Sequence, residues 1–503
     1  MMLKLLALLL QLAVIHSAIT RSINEASRSN VIIMHVNNLE WSDLGIHHNK
    51  RENENLTPNI DRLAYGGIIL NHFYANGGIK SLNSGCYQRS SYGNPNLMRT
   101  YFERNGYHVN SLSIKNYTNS EDFIRNIMTA ISHDNQLFYI SIDFGSLNND
   151  MKLPVIDKVV GKIVEKTHNE RVLDNTIIIF LSLPNADDDT IDNDPDSSSP
   201  IESHYRRTAF IYSHSLLLPQ RVSNQLIHIS DILPTLVNAT DLKWRTRDRI
   251  YIDGINQWTA LNKNIDARYS IFGDNFYIEN NWKLSYGTSK NILYNSLDNK
   301  GLELSESDNY DFKNYMKFVN NADINSYLDE LTEDKVFLMR NRAKVHCNLN
   351  DIDTSSFAIN IKCSRATPCL FDLQSDPCEL DDKHEHEFDA RRTRMRTVFE
   401  DYLENGLTDD EVHHGAHDEH SMTIDPILTP SGGFSAFLTL MITLFVFIFM
   451  LIFVACIKER CNSRRSVYVD KSKKIIYKDE SDATVSNGVS TISAQIEKQQ
   501  TRL

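Results

Sequence analysis

Two consecutive amides, Asn37 and Asn38, follow an apolar run at residues 31–34 in the stretch NVIIMHVNNLEWSDLGIH. The β-branched content of that run predicts a buried strand. In an open α/β sheet, ligands bind beyond the C-terminal ends of the strands, so the amide pair stands where a site is expected. Amide oxygens are hard but uncharged donors, suited to hydrogen bonding and weak for calcium. Downstream, Ser81 and Ser84 in YANGGIKSLNSGCYQ are nucleophile types, and a serine there needs a metal or a base to activate it. His35, His47, His48 and His72 carry the donor atoms of a new metal site, although isolated histidines are more often surface or core residues. His413 and His417 lie four apart in DDEVHHGAHDEH, a metal-ligand spacing. A stretch this polar reads instead as a solvated stalk. The acidic run DDDTIDNDPDSSS at residues 187–199 lacks calcium-loop spacing and reads as a surface loop.

These stretches carry a resemblance to the sulfatase family, most closely to its arylsulfatase-B-like members. The family's opening strand continues as Ala-Asp-Asp-Leu-Gly-Trp-x-Asp-x-Gly-x-His, and here Leu39, Trp41, Asp43, Gly45 and His47 are in register with it. Residues 57–70, TPNIDRLAYGGIIL, nearly repeat a second family string. Residues 226–236 (LIHISDILPTL), 253–258 (DGINQW), 281–284 (NWKL) and 369–380 (CLFDLQSDPCEL) resemble further scaffold strings, so the likeness extends over roughly residues 29–407.

The family's chemical residues fare differently. Its two metal-binding aspartates fall on Asn37 and Asn38, and the Asp-Asn that completes the metal site falls on Leu183 and Pro184. Its nucleophile loop, Cys-x-Pro-x-Arg with a cysteine oxidised to formylglycine, has no counterpart. Gly85 and Tyr87 match the loop's close, which places Cys86 on the family's basic residue. The lysine and histidine that contact the sulfate fall on Ile114 and Asn116, and Leu147 stands where a further substrate-contacting histidine is expected. Glu202 and Arg206 align with Glu-Gly-Gly-x-Arg, without its glycines.

The resemblance implies an α/β fold, an alkaline-phosphatase-like α/β/α sandwich with a smaller C-terminal antiparallel-sheet subdomain. It also frames the function. Sulfate ester hydrolysis needs a metal to clamp the sulfate and cations to take up transition-state charge. With those residues replaced, the leading expectation is a catalytically inactive homologue that binds a sulfated glycan or a cell-surface protein, with no cofactor. The alternative is an active, divergent sulfuric ester hydrolase acting on sulfated glycosaminoglycans, which would hold calcium.

The elements around these residues predict a membrane protein. Residues 1–18, MMLKLLALLLQLAVIHSA, have the basic start, apolar core and small-residue exit of a signal peptide. Residues 434–457 are apolar and long enough to span a bilayer, and Lys458, Arg460, Arg464 and Arg465 follow at once. The positive-inside rule then gives a single-pass type I topology, and the expected residence is the plasma membrane or an endolysosomal one. Its expected parts are an N-terminal domain at 29–262, a C-terminal subdomain at 263–407, a stalk at 408–433 and a cytoplasmic tail at 458–503. Sequons at Asn55, Asn116 and Asn238 suit the lumenal side. Of seven cysteines, the expected bridges are Cys369 with Cys378 and Cys347 with Cys363, leaving Cys86 as the odd lumenal thiol. The formal charge of −13 argues against a generally polyanion-binding surface, and nothing points to nucleic acid.

Overall fold

A computed structural model describes residues 28–47, 57–86, 94–131, 136–147, 149–184, 205–244, 252–286, 307–344, 363–377, 379 and 381–405. The chain divides into two compact units, Met1–Ser421 and Met422–Leu503, and all described residues belong to the first. The expected signal peptide, stalk, membrane-spanning block and tail lie outside the described residues, as do Asn55, the 187–199 run and Glu202. Among the described residues, no helix is long and apolar enough to cross a membrane.

The framework is a seven-stranded sheet of β1 (Asn30–Asn37), β2 (Ile68–Tyr74), β3 (His108–Ser113), β4 (Phe138–Ser146), β5 (Thr176–Leu183), β6 (Ala209–Tyr212) and β7 (Arg221–His228), in the order β3-β4-β1-β5-β6-β2-β7. β6 runs antiparallel to β5 and β2, and the remaining neighbours are parallel. The central strands are apolar on both faces because helices cover both. β5 (TIIIFLSL) is buried along its whole length, whereas the edge strand β3 (HVNSLS) is polar and partly exposed.

One face of β1, Ile32, Met34 and Val36, packs with α1 (Pro58–Gly66), α4 (Ser120–Ala130) and α5 (Leu153–Asn169). α5 buries the face formed by Ile156, Val159, Val160, Ile163 and Val164, as its helical spacing predicts. The other face, Val31 and Ile33, packs with α2 (Gly78–Ser84), α3 (Leu97–Arg104), α6 (Ile232–Ala239) and α7 (Trp258–Lys263).

The boundary expected at residue 263 is corrected. After a small-sheet segment the chain returns to the large sheet through α8 (Ser307–Asn320) and α9 (Glu333–Ala343). Tyr315, Met316, Val319, Val336 and Met339 from these helices enter the same core as β1. The antiparallel sheet itself holds β8 (Ser270–Phe272), β9 (Phe276–Glu279), β10 (Trp282–Ser285) and β11 (Cys369–Asp372), in the order β11-β10-β9-β8. α10 (Asp389–Asn405) packs Met395, Phe399 and Tyr402 into this smaller core.

The expected disulfides are corrected too. Cys363 bonds to Cys369, with Cα atoms 5.3 Å apart, so neither Cys369–Cys378 nor Cys347–Cys363 forms. The tight loop CSRATPC closes on itself, and the Ser364 N–H donating to the Thr367 carbonyl at 3.0 Å turns it back. Cys347 and Cys378 lie outside the described residues.

The scaffold strings recognised in the sequence are tied together at Asp231, which is fully buried. Its carboxylate accepts from the His228 N–H at 2.9 Å, the Ile255 N–H at 2.7 Å and Gln257 Nε2 at 3.0 Å, and it pairs with Arg268. LIHISDILPTL is thereby bound to DGINQW. Gly254 is required in the contact, since a Cβ there would lie 2.0 Å from the Ser230 carbonyl oxygen. Burial works against the Asp231 charge, and Arg268 outweighs it, holding the carboxyl below its ordinary range. Removing one partner of a buried ion pair costs about 3–5 kcal/mol. Asp231→Asn should therefore lower the unfolding free energy by about that amount, read as a drop in the urea midpoint at unchanged m-value.

Candidate functional site

β1 is flanked by β4 and β5, so its C-terminal end opens in the middle of the sheet edge. Asn37 stands opposite Leu183 of β5 and Ser146 of β4. Asn38 then turns the chain with φ of 59°, a left-handed conformation that asparagine tolerates better than most residues. Its N–H donates to the Leu183 carbonyl at 2.9 Å, and the Leu147 N–H donates to the Asn37 carbonyl at 3.0 Å. Pro184 follows at once and lies over Gly78 at the start of α2, where an added Cβ would be 3.8 Å from the proline ring.

Five of the positions singled out in the sequence, Asn37, Asn38, Leu147, Leu183 and Pro184, are thus brought together. Ile114 and Asn116 occupy a 3-10 turn after β3, at the same sheet edge but two strands from β1. Ile114 is buried in the core and Asn116 is exposed. Asn238, at the end of α6, is exposed as well.

The hydroxyl and thiol candidates have structural roles. Ser84 Oγ donates to the Lys80 carbonyl at 2.8 Å and accepts from the Cys86 N–H at 3.1 Å, closing α2. Cys86 is buried with its Sγ 3.5 Å from the Ser84 carbonyl, and the adjacent Gly85 carbonyl accepts from the Asp253 and Gly254 N–H groups. Ser81 is buried within α2.

The histidines do not converge. His47 stacks on Trp41 at 3.7 Å, and its Nδ1 lies 3.2 Å from the Ala343 carbonyl. Burial pushes its pKa down to about 3, so the ring is neutral. His35 faces β4 and His72 sits on β2, while His48 lies outside the described residues. Among the described residues, no three His, Cys, Asp or Glu side chains gather as a metal site would require.

Sequence reasoning missed a polar row one residue pair below the amides. Asp143 of β4 lies opposite both His35 and Ser113. Ser113 Oγ donates to Asp143 Oδ2 at 2.8 Å, the Gly145 N–H donates to Oδ1 at 2.9 Å, and His35 Nδ1 lies 3.5 Å from Oδ1. Burial lowers the His35 pKa, and the Asp143 charge opposes this. The carboxylate is central in the row and the hydroxyl is on its far side, which is not the order of a nucleophile–base–acid relay. The available signal was the lone acid near the end of LFYISIDF. Two arginines were also undervalued. Arg206 donates Nε to the Asn71 carbonyl at 3.1 Å and lies over the Trp41 ring, and Arg207 is buried with Nη1 3.4 Å from the Leu39 carbonyl.

Calcium, which the resemblance would place beside Asn37, does not fit this donor set. The family-equivalent positions offer two neutral amides, an aliphatic chain and a pyrrolidine ring, while calcium takes six to eight oxygens and favours carboxylates. The arrangement can donate and accept hydrogen bonds, and among the described residues no nucleophile is set against an activating base.

No protein-family model matches the chain, and no curated protein matches it. Solved structures similar to it include the PsFucS1 sulfatase from Pseudoalteromonas sp., at 15% identity over 75% of this chain and 90% of that one, with a TM-score of 0.49. A protein from the glycosaminoglycan-metabolising locus of Bacteroides thetaiotaomicron is 12% identical over 75% of this chain and all of that one, with a TM-score of 0.46. A third, BT4656 in complex with its substrate D-glucosamine-2-N,6-O-disulfate, is 10% identical over 76% of this chain and 99% of that one, with a TM-score of 0.44.

Asn37→Asp/Asn38→Asp alone should gain no tight calcium site. Adding Leu183→Asp and Pro184→Asn should give calcium-dependent stabilisation, about 2.7 kcal/mol when calcium is at a hundred times its Kd. Calorimetric titration of the two variants checks both.

Proposed function

We propose that the chain is a sulfatase-like protein that has lost hydrolysis and acts by binding. The observation that carries this is the register of β1 on β5, which sets Asn37 beside Leu183 at the sheet edge where the resemblance implies a carboxylate-lined metal centre. Ile114 and Leu147, in place of a lysine and a histidine, also remove the groups that would grip a sulfate. The exposed sequon Asn116 sits at this edge, so a glycan there would stand at its rim. In this reading the chain is a single-pass type I membrane glycoprotein of the cell surface or an endolysosomal membrane. Its partner is a sulfated glycan or a cell-surface protein.

The test is turnover. The full chain, expressed in eukaryotic cells with the formylglycine-generating machinery, is assayed on an aryl sulfate and on sulfated glycosaminoglycan fragments, with and without calcium. No sulfate release above an empty-vector preparation is expected. Calcium-dependent release would establish the divergent hydrolase instead.

A further inference from the structure

Two sequons lie among the described residues, and the fold presents them in opposite ways. Asn116 ends the 3-10 turn after β3, and Tyr117 follows with φ of −121° and ψ of 144°. An extended central residue turns the side chains before and after it to the same side. Asn116 and Thr118 are accordingly both exposed.

At the second sequon only the amide faces water. Asn238 is exposed on the last turn of α6, whereas Thr240 is 0% exposed. The Thr240 hydroxyl donates to the Leu236 carbonyl at 2.7 Å, and the Thr240 N–H donates to the same oxygen at 3.0 Å. The Tyr107 hydroxyl, which donates to the Ser29 carbonyl at 3.0 Å, faces Thr240 as well. On a helix, side chains two residues apart point about 200° apart and do not share a face. Glycan transfer joins Asn Nδ2 to C1 of a sugar. The C1–O bond to a lipid-linked pyrophosphate breaks, Nδ2 gives up a proton, and the pyrophosphate leaves on its lipid. The acceptor pattern Asn-x-Ser/Thr requires the hydroxyl two residues on. At Asn238 that hydroxyl comes free only when the end of α6 unwinds from Leu236 and Tyr107.

Chain order sets the time available. All seven strands of the large sheet precede Asn238, as do Ser29 and Tyr107. α6 buries Leu233, Leu236 and Val237 in the core that holds Val31 and Ile33. The residue before α6 is pinned later, because Asp231 must wait for Ile255, Gln257 and Arg268. Thirty residues separate Asn238 from Arg268. Synthesis at about 5–20 residues per second passes them in about 1.5–6 s.

We propose that Asn238 is a glycosylation site gated by folding, open only until Asp231 pairs with Arg268 and α6 closes, whereas Asn116 stays open in the folded chain. The native protein is then a mixture of chains with and without a glycan on α6. The gate rests on the lumenal placement proposed above and is independent of the binding role.

The test has two arms. In the first, full chain made in cells with glycosylation blocked is purified into lipid nanodiscs and offered oligosaccharyltransferase with a lipid-pyrophosphate-linked oligosaccharide. Mass spectrometry should find at least tenfold more glycan on Asn116 than on Asn238, and a smaller ratio overturns the gate. In the second, occupancy is read on total chain from cells without the block. Asn238 should be incompletely occupied in the native chain, and its unoccupied fraction should fall at least twofold in Asp231→Asn, with Asn116 unchanged. Full native occupancy at Asn238, or no fall in the variant, overturns the gate. Total chain includes unfolded chain, so a variant that fails to fold still reports. Should the unglycosylated chain not fold, the second arm decides. Glycan on neither site in cells overturns the lumenal placement and the use of the gate there, while the first arm still reads whether the fold closes the sequon.

Discussion

The register of β1 between β4 and β5 is the constraint on which the rest depends. It is held from both faces, with Ile32, Met34 and Val36 in one core and Val31 and Ile33 in the other. A slip of one residue would exchange those faces. With the register fixed, Asn37 must lie beside Leu183, Asn38 must turn away in a left-handed conformation, and His35 must lie beside Asp143. The composition of the sheet edge follows from strand pairing, and no loop rearrangement at Asn38 converts Leu183 into a ligand.

The replacements at this edge are mutually consistent. Two carboxylates about 5 Å apart with no cation between them repel by about 3 kcal/mol at an effective dielectric of about 20. Once the positions of Leu183 and Pro184 cannot help hold a cation, neutral amides at 37 and 38 are the less costly side chains. The scaffold shows the opposite pattern at two buried ion pairs, whose charges are satisfied. Asp231 has Arg268 and three further donors, and Lys283 donates to both carboxylate oxygens of Glu379 at 2.7 and 2.8 Å. Charge persists where it binds one segment to another and is absent at positions 37, 38, 183 and 184.

Much of this was legible in the sequence because the information is local. The apolar run of β1 and the helical stripe of α5 each state their own burial, and LIHISDILPTL and DGINQW could be recognised as scaffold strings. Asn37, Asn38, Leu183 and Pro184 could be set side by side only because matching strings fixed a register for both strands. Tertiary choices were not legible. α8 and α9 are segments whose partner sheet no local pattern names, and Tyr315 meets Asp61 across 254 residues. Disulfide connectivity is likewise undetermined by spacing, and Cys363 closes the shorter loop. The row of Ser113, Asp143 and His35 exists only once three strands are paired.

The central claim, that the sheet edge has lost its metal centre and with it hydrolysis, is tested most directly by the thermal midpoint of the native full chain with chelator and with calcium raised stepwise to millimolar. A ligand that binds only the folded state must raise that midpoint as its concentration grows. This account expects the curves to coincide. A midpoint that climbs with calcium, and falls back when Asn37 and Asn38 are replaced by alanine, would contradict it.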